Sequence, residues 1–297
     1  MFETFTLPDG SVAATGKLLP KPLDTTVFSS YPSQRLLEKS DIKSLLSEDR
    51  YKFVRESFKP WMIDQGQVGK CNASAAVSAM YQVRWKAGAD MVPLADNFLY
   101  MHINGGRDQG SLLDKGLDFI RKFGVCPRNI VSRSGKSYGH IPHTSYNVAQ
   151  LDKDLYAEAQ AQATRFIVHE PYVVPKDYEG FKETLATAAA LEYPVVMAWD
   201  VSQASMKLKN GYVQTGRGRG NHASLFSSAK WVGGKDLVHL DLRNSWGPTE
   251  SAVFGPRSSG WGEDGYGLMT MEQAYQCREY HEFYVLSGIN FDPWVTI

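Results

Sequence analysis

A cysteine bordered by glycines at the start of a helical pattern, with its chemical partners far downstream, constrains this chain more than any bulk property. The segment Asp64-Gln65-Gly66-Gln67-Val68-Gly69-Lys70-Cys71 runs directly into an apolar-periodic stretch. His222, in Asn221-His222, comes 151 positions after Cys71, and Asn244-Ser245-Trp246-Gly247 follows it. Together they supply a thiol, an imidazole, a carboxamide to orient the imidazole, and a glutamine. Only a fold that closes a long loop between a helix and a strand pair can bring them together.

Each piece sits in the local setting its chemistry needs. A thiol is a useful nucleophile as thiolate, and the unpaired N–H groups at a helix start favour that form. Gly66 and Gly69 allow a sharp approach to Cys71 and leave room beside it. Acyl transfer also needs donors aimed at the developing oxyanion. The Cys71 amide is one candidate, and the side chain of Gln65, six residues upstream, is the other. His222 opens a strand whose partner strand ends at Asn244. A turn at Gly233-Gly234 places His222 within one residue of direct opposition to Asn244, with a bulge left to decide the final register. Asn244 would then accept the imidazole N–H and aim the ring at the thiolate, as the third member of a triad does. Trp246 would cover that bond.

Composition narrows the field without choosing a function. The 297 residues suffice for one large domain or two lobes. With 43% hydrophobic and 22% charged residues and a formal net charge of zero, nothing global points to nucleic acid or an anionic membrane. No apolar run reaches the roughly 18 residues of a membrane span. The N-terminus shows neither a basic region nor an apolar core typical of a secretory signal. Three cysteines, Cys71, Cys126 and Cys277, without CxxC spacing, argue against a disulfide framework or a zinc site. A reducing, cytoplasmic location is therefore expected (host cytoplasm or virion for a viral chain). Cys126 and Cys277 read as small buried hydrophobes. No cofactor or metal is expected.

The pattern of elements divides the chain. Residues 1–54 mix turn formers with a polar helical stretch at 40–47 and read as an N-terminal arm. Helices are expected over 72–86, 93–102, 112–123, 152–164 and 178–191. Ala73, Ala76, Val77 and Met80 form one apolar stripe on the first of these, and Gly124 stops the third. Strands are expected over 194–199, 223–231, 237–242 and 280–287. A helical lobe (55–165) followed by a β-rich lobe (166–297) is the expected organisation.

Other signals compete weakly. His239 shares a strand face with Asp241 and Arg243 and reads as solvated. The remaining histidines lack a glycine-bordered setting. The run Gly216-Arg217-Gly218-Arg219-Gly220 has no Lys-Ser/Thr and no helix after it, so it reads as a flexible loop rather than a phosphate cradle. Glu263 and Asp264, flanked by glycines and without histidine neighbours, read as a turn rather than a metal site.

The combination of these segments with Gly260-Trp261-Gly262-Glu263-Asp264-Gly265-Tyr266 resembles the papain family of cysteine peptidases in order and spacing, over about residues 55–285. Gly110-Ser111-Leu112-Leu113-Asp114 through Lys122-Phe123-Gly124-Val125-Cys126-Pro127 is similar to the family's stretch lining the non-primed cleft, in its bacterial form. The resemblance implies an α+β fold of two lobes, a helical N-lobe and an antiparallel β-barrel-like C-lobe, with the active site between them. It implies Cys71 as nucleophile, His222 as acid/base, Asn244 as orienter and Gln65 as oxyanion donor, acting on a peptide or protein. Gly110, Ser111, Asn221, Ala223 and Trp246 are the implied substrate-binding residues. Val68 stands where many secreted members carry a disulfide cysteine, and Asn72 where a tryptophan is common. Residues 248–259 form an inserted loop that could narrow the primed side. Two rivals remain: a papain-fold amide hydrolase or acyltransferase with a non-protein substrate, and a non-catalytic structural component.

Overall fold

The computed structural model describes the chain except for residues 1–3, 8–9, 11, 16–27, 143–144, 217–219, 248–249, 252–254, 257–260, 279–281 and 290–297. It opens with an antiparallel hairpin, β1 (Thr4–Thr6) and β2 (Val12–Ala14). Two helices follow, α1 (Lys39–Leu45) and α2 (Glu48–Phe58). The second was not read from the sequence. It starts where the Ser47 hydroxyl accepts the Arg50 amide at 3.1 Å, with Glu48 and Asp49 in its first turn, the charge sign a helix N-terminus favours.

Next come α3 (Cys71–Lys86), α4 (Asp96–Ile103) and α5 (Leu113–Lys122), close to the expected ranges. The expected single stripe on α3 is too narrow: every residue from 71 to 84 is buried. Ala73, Ser74, Ala75, Ala76, Ser78 and Ala79 are small enough for neighbours to pack on all sides, so α3 is a central rather than a surface helix. On α5, Leu113, Leu117 and Ile120 are the buried apolar face. Gly124 ends it with φ +74°, and a Cβ there would stand 2.0 Å from the Ala163 carbonyl oxygen, so only glycine fits. A small hairpin, β3 (Asn129–Val131) and β4 (Ser137–His140), precedes α6 (Lys153–Ala163), whose N-terminus Asp152 caps.

The second half carries the sheet. After β5 (Tyr172–Val173) and α7 (Tyr178–Ala190) come β6 (Val195–Trp199), β7 (His222–Gly233) and β8 (Leu237–Arg243). A two-stranded pair, β9 (Glu250–Ser251) and β10 (Gly255–Pro256), falls in the 248–259 loop, most of which lies outside the described residues, as does Gly260. The described chain ends with β11 (Tyr266–Met269), α8 (Met271–Cys277) and β12 (Tyr284–Val285). Six strands form one antiparallel sheet in the order β11-β8-β7-β6-β12-β5. This sheet is what the β-barrel-like lobe of the sequence reading amounts to.

Strand alternation separates two cores. Val196 and Ala198 of β6, with Ala223 and Leu225 of β7, point toward the core built around α3, α4 and α5. Val195, Met197 and Trp199, with Phe226, point toward the core built around α7 and α8. The sheet thus has a helical layer on each side, and α3 lies directly on β7. Arg55 of α2 reaches across to β8 and pairs with the fully buried Asp241 at 2.7 Å. Asp241 and Arg243 are therefore covered. Their neighbour His239 is half-buried and bonds the Tyr212 hydroxyl at 2.7 Å, so this face is less solvated than the sequence suggested.

Candidate active site

Cys71 is the first residue of α3, and Lys70 stands at its N-cap without a side-chain cap bond. The approach to it turns at Gly66, whose φ is +59° and whose amide is held by the Asp64 carboxylate at 2.8 Å. Behind the loop, Lys70 buries its ammonium against Asp96 (2.9 Å) and Asn97 (2.6 Å), which ties the start of α3 to the start of α4. The approach loop is also strapped to the far side of the site. Asp64 bridges Trp246, the Gln65 amide donates to the Ser245 carbonyl at 2.9 Å, and the Ser245 hydroxyl donates to Gln65 Oε1 at 2.6 Å.

His222 opens β7 and pairs with Trp199 of β6. Its Nε2 lies 2.6 Å from Asn244 Oδ1. That oxygen also accepts the Ser245 amide at 2.8 Å and the Ser224 hydroxyl at 3.3 Å, which identifies it as oxygen. Nε2 therefore carries the proton and Nδ1 holds the lone pair. Nδ1 is buried and hydrogen-bonded to nothing among the described residues. Trp246 stacks on the imidazole with centroids 4.4 Å apart and planes 28° from parallel, and Trp199 meets it edge-on at 5.9 Å. Trp261 packs behind both indoles.

The pairing of His222 with Asn244 differs from near-direct opposition. Leu225 stands opposite Arg243, and continuing that register puts Ser224, not His222, across from Asn244. Bulges at Phe226/Ser228 and Trp231/Gly233 shift the ladder, so His222 and Asn244 are diagonal neighbours on one face. The long imidazole still spans the diagonal.

Burial governs protonation here. His222 is wholly buried, and loss of hydration pushes its imidazole down to about 4, only partly offset by the bond to Asn244. Burial also raises the other two thiols, Cys277 to about 12 and Cys126 further still, as structural thiols behave.

The sequence marks residues 1–54 as an arm but not the place where it seats. Gln65 Nε2 donates to the Ala14 carbonyl oxygen at 2.8 Å, as well as to Val68 O at 3.0 Å. Trp246 Nε1 donates to the same Ala14 oxygen at 3.3 Å, and the Ala14 amide points at Gly66 O, 3.4 Å away. Ala14 and Thr15 are buried, and Leu7 of the same hairpin belongs to the α7 core. The short run Val12-Ala13-Ala14 has no periodicity or charge to mark it, so no sequence signal could have flagged this contact.

The remaining implied residues are placed as follows. Gly110, with φ +79°, donates its amide to the Tyr100 hydroxyl at 3.3 Å. Ser111 is buried, and its hydroxyl accepts from Asn72 Nδ2 at 2.8 Å, so Asn72 ties this segment to α3. Asn221 bonds Val201 N (2.8 Å) and O (3.0 Å), and Ala223 lies in the α3 core. Arg217, Gly218 and Arg219 lie outside the described residues. Glu263 and Asp264 form a turn, as expected, and pair with Arg55 (2.7 Å) and Lys59 (2.8 Å). Among the described residues no group of three metal-ligating side chains forms, and no helix is long and apolar enough to cross a membrane.

No protein-family model matches the sequence, and no curated protein does. Solved structures do. Xylellain, a cysteine protease from Xylella fastidiosa, aligns over 98% of this chain and 99% of its own at 19% identity and a TM-score of 0.60. The bromelain protease of Ananas comosus in complex with the E64 inhibitor aligns over 76% and 93% at 16% identity and 0.53. Digestive procathepsin L 3 of Tenebrio molitor larval midgut aligns over 91% and 75% at 19% identity and 0.51. These are papain-like cysteine proteases, and at such low identity the likeness establishes the fold: this chain has the papain-like fold.

Proposed function

We propose that this chain is a cysteine peptidase held closed by its own N-terminal arm. Cys71 is the nucleophile, His222 the acid/base, Asn244 the orienting carboxamide and Gln65 an oxyanion donor. The observation that carries the reading is the His222 ring. Its Nε2–H is committed to Asn244, and its bare Nδ1 is buried without a hydrogen bond among the described residues, a costly arrangement for a merely structural histidine. In the reaction Nδ1 takes the Cys71 proton, and the thiolate attacks the substrate carbonyl carbon. Gln65 Nε2 and the Cys71 amide hold the resulting oxyanion. Nδ1–H then protonates the leaving amine as the C–N bond breaks. Water, deprotonated by the same nitrogen, hydrolyses the thioester and regenerates the thiol.

The Ala14 carbonyl occupies the donor that the oxyanion would use, so the arm must leave before a substrate enters. Residues 1–54 as the arm, 55–165 as the helical lobe and 166–297 as the β-rich lobe are part of this proposal, with α2 running across position 54. The burial of His222 and the seated arm are also what an occluded, non-catalytic component would show.

The test compares Leu7→Ala, which weakens the arm, with Leu7→Ala/Cys71→Ala on a mixed peptide library read by mass spectrometry. New peptide termini from the first and none from the second support the proposal. Products joined to an added amine would mark an acyltransferase. Inertness toward every peptide in a folded protein would leave the structural-component reading.

A further inference from the structure

Beside the Cys71 loop, Asp108 has no ion-pair partner among the described residues. Asp96 is paired with Lys70 at 2.9 Å, and Asp64 accepts the Gly66 amide at 2.8 Å. Asp108 uses a single oxygen for its internal contacts. Its Oδ1 accepts the Gly69 amide at 2.9 Å and the Tyr100 hydroxyl at 2.6 Å. Its Oδ2 has no hydrogen-bond or ion-pair partner among the described residues and is open to solvent, and neighbouring Arg107 makes no ion pair with it. Two donors thus hold Oδ1 of this half-buried carboxylate and leave Oδ2 without an internal bond among the described residues.

Its place is set by the same bonds. Gly69 is two residues before Cys71, so their Cα atoms are at most about 7.6 Å apart. Tyr100, which holds Asp108, also receives the Gly110 amide, so the carboxylate sits between the nucleophile loop and the 110–112 segment. Burial first, then Asp108, raises the Tyr100 hydroxyl, and negative charge on Cys71 adds to the rise, which puts all three within electrostatic reach.

We infer that Asp108 is a specificity-determining residue, selecting a lysine or arginine side chain on the substrate residue that carries the scissile carbonyl. This rests on the peptidase reading above. A carbonyl in attack position lies about 3–3.5 Å from the sulfur. A carboxylate bonded to the Gly69 amide calls for a long cationic side chain, such as the four-carbon stem of lysine or the longer arginine. The contact forms at the rim, where water screens it, so its effect is selectivity rather than tight binding.

Asp108→Asn separates this role from a structural one, because the amide oxygen still accepts from Gly69 and Tyr100 while the charge is gone. In full-length Leu7→Ala protein, Cys71 alkylation rates are compared for two tripeptide chloromethyl ketones that differ only in lysine or norleucine at the final residue. The lysine reagent is expected to react about tenfold faster, a 1.4 kcal/mol preference. That preference should shrink in high salt and vanish with Asp108→Asn. Equal rates for the two reagents, or a preference unchanged by Asp108→Asn, overturn the inference alone. If Asp108→Asn does not fold, the salt dependence of the preference in Leu7→Ala protein decides instead, and a salt-independent preference overturns it. Reaction with neither reagent in a folded protein overturns the peptidase reading and this inference with it.

Discussion

Shortening Leu7 should open the site without touching its chemistry. Leu7 is 3% exposed and belongs to the α7 core, while Ala14 of the same hairpin links it to the site through Gln65, Trp246 and Gly66. Each of those hydrogen bonds contributes on the order of 0.5–1.5 kcal/mol net, and burying the leucine about 1.5–3 kcal/mol. Leu7→Ala in a well-packed core costs about 2–5 kcal/mol. An arm at the edge of a core can collapse into the gap, so the low end applies, about 2 kcal/mol. If arm release precedes reaction, the open population rises about 30-fold, since each 1.4 kcal/mol is tenfold. The assay is the second-order rate of Cys71 modification by a peptidyl epoxide, with Cys126 as the internal control. A rate unchanged in a folded Leu7→Ala protein refutes the arm's role. An equal rise at Cys126 means general loosening and refutes it as well.

Further outcomes follow from the same geometry. His222 is neutral in the fold at pH values where the unfolded chain is protonated. Between about pH 6.5 and 4 the unfolded state therefore binds the extra proton, and stability falls as pH falls, by about 3 kcal/mol across the window. Urea midpoints taken from pH 7 to 4 should show this slope, and His222→Gln should flatten it. Lys70→Met removes the buried ammonium that pairs with Asp96 and should cost about 3–5 kcal/mol, read by urea unfolding, with Lys70→Met/Asp96→Leu recovering part of the loss. Ser245→Ala removes the hydroxyl that holds Gln65 Oε1 and should cost about 1 kcal/mol in stability. Its epoxide reaction at Cys71 should be little changed while peptide turnover drops, because only turnover needs the aligned oxyanion donor.

The candidate residues stood out because each carries a local signature: glycines before a helix-starting cysteine, a histidine opening a strand, an asparagine at the end of its partner. Gly124 was legible for the same reason, since a left-handed C-cap is a one-residue requirement. Long-range facts were not. The diagonal pairing of His222 with Asn244 depends on two bulges that leave no clear mark in an otherwise regular alternation. The burial of α3 on all sides depends on what surrounds its alanines and serines, not on their spacing. Trp199 comes to His222 only through the β6–β7 ladder. The seat of Ala14 against Gln65 joins positions 51 apart through small side chains and main-chain atoms, which sequence patterns do not report.

The most direct test of the account is intact-mass and peptide-map analysis of Leu7→Ala protein treated with a peptidyl epoxide, beside Leu7→Ala/His222→Ala. The account predicts one adduct per chain, on Cys71, with none on Cys126 or Cys277 and a large loss in the His222 variant. A folded protein that gains no adduct on Cys71, or gains it equally without His222, would contradict the thiol–imidazole pair on which the account rests.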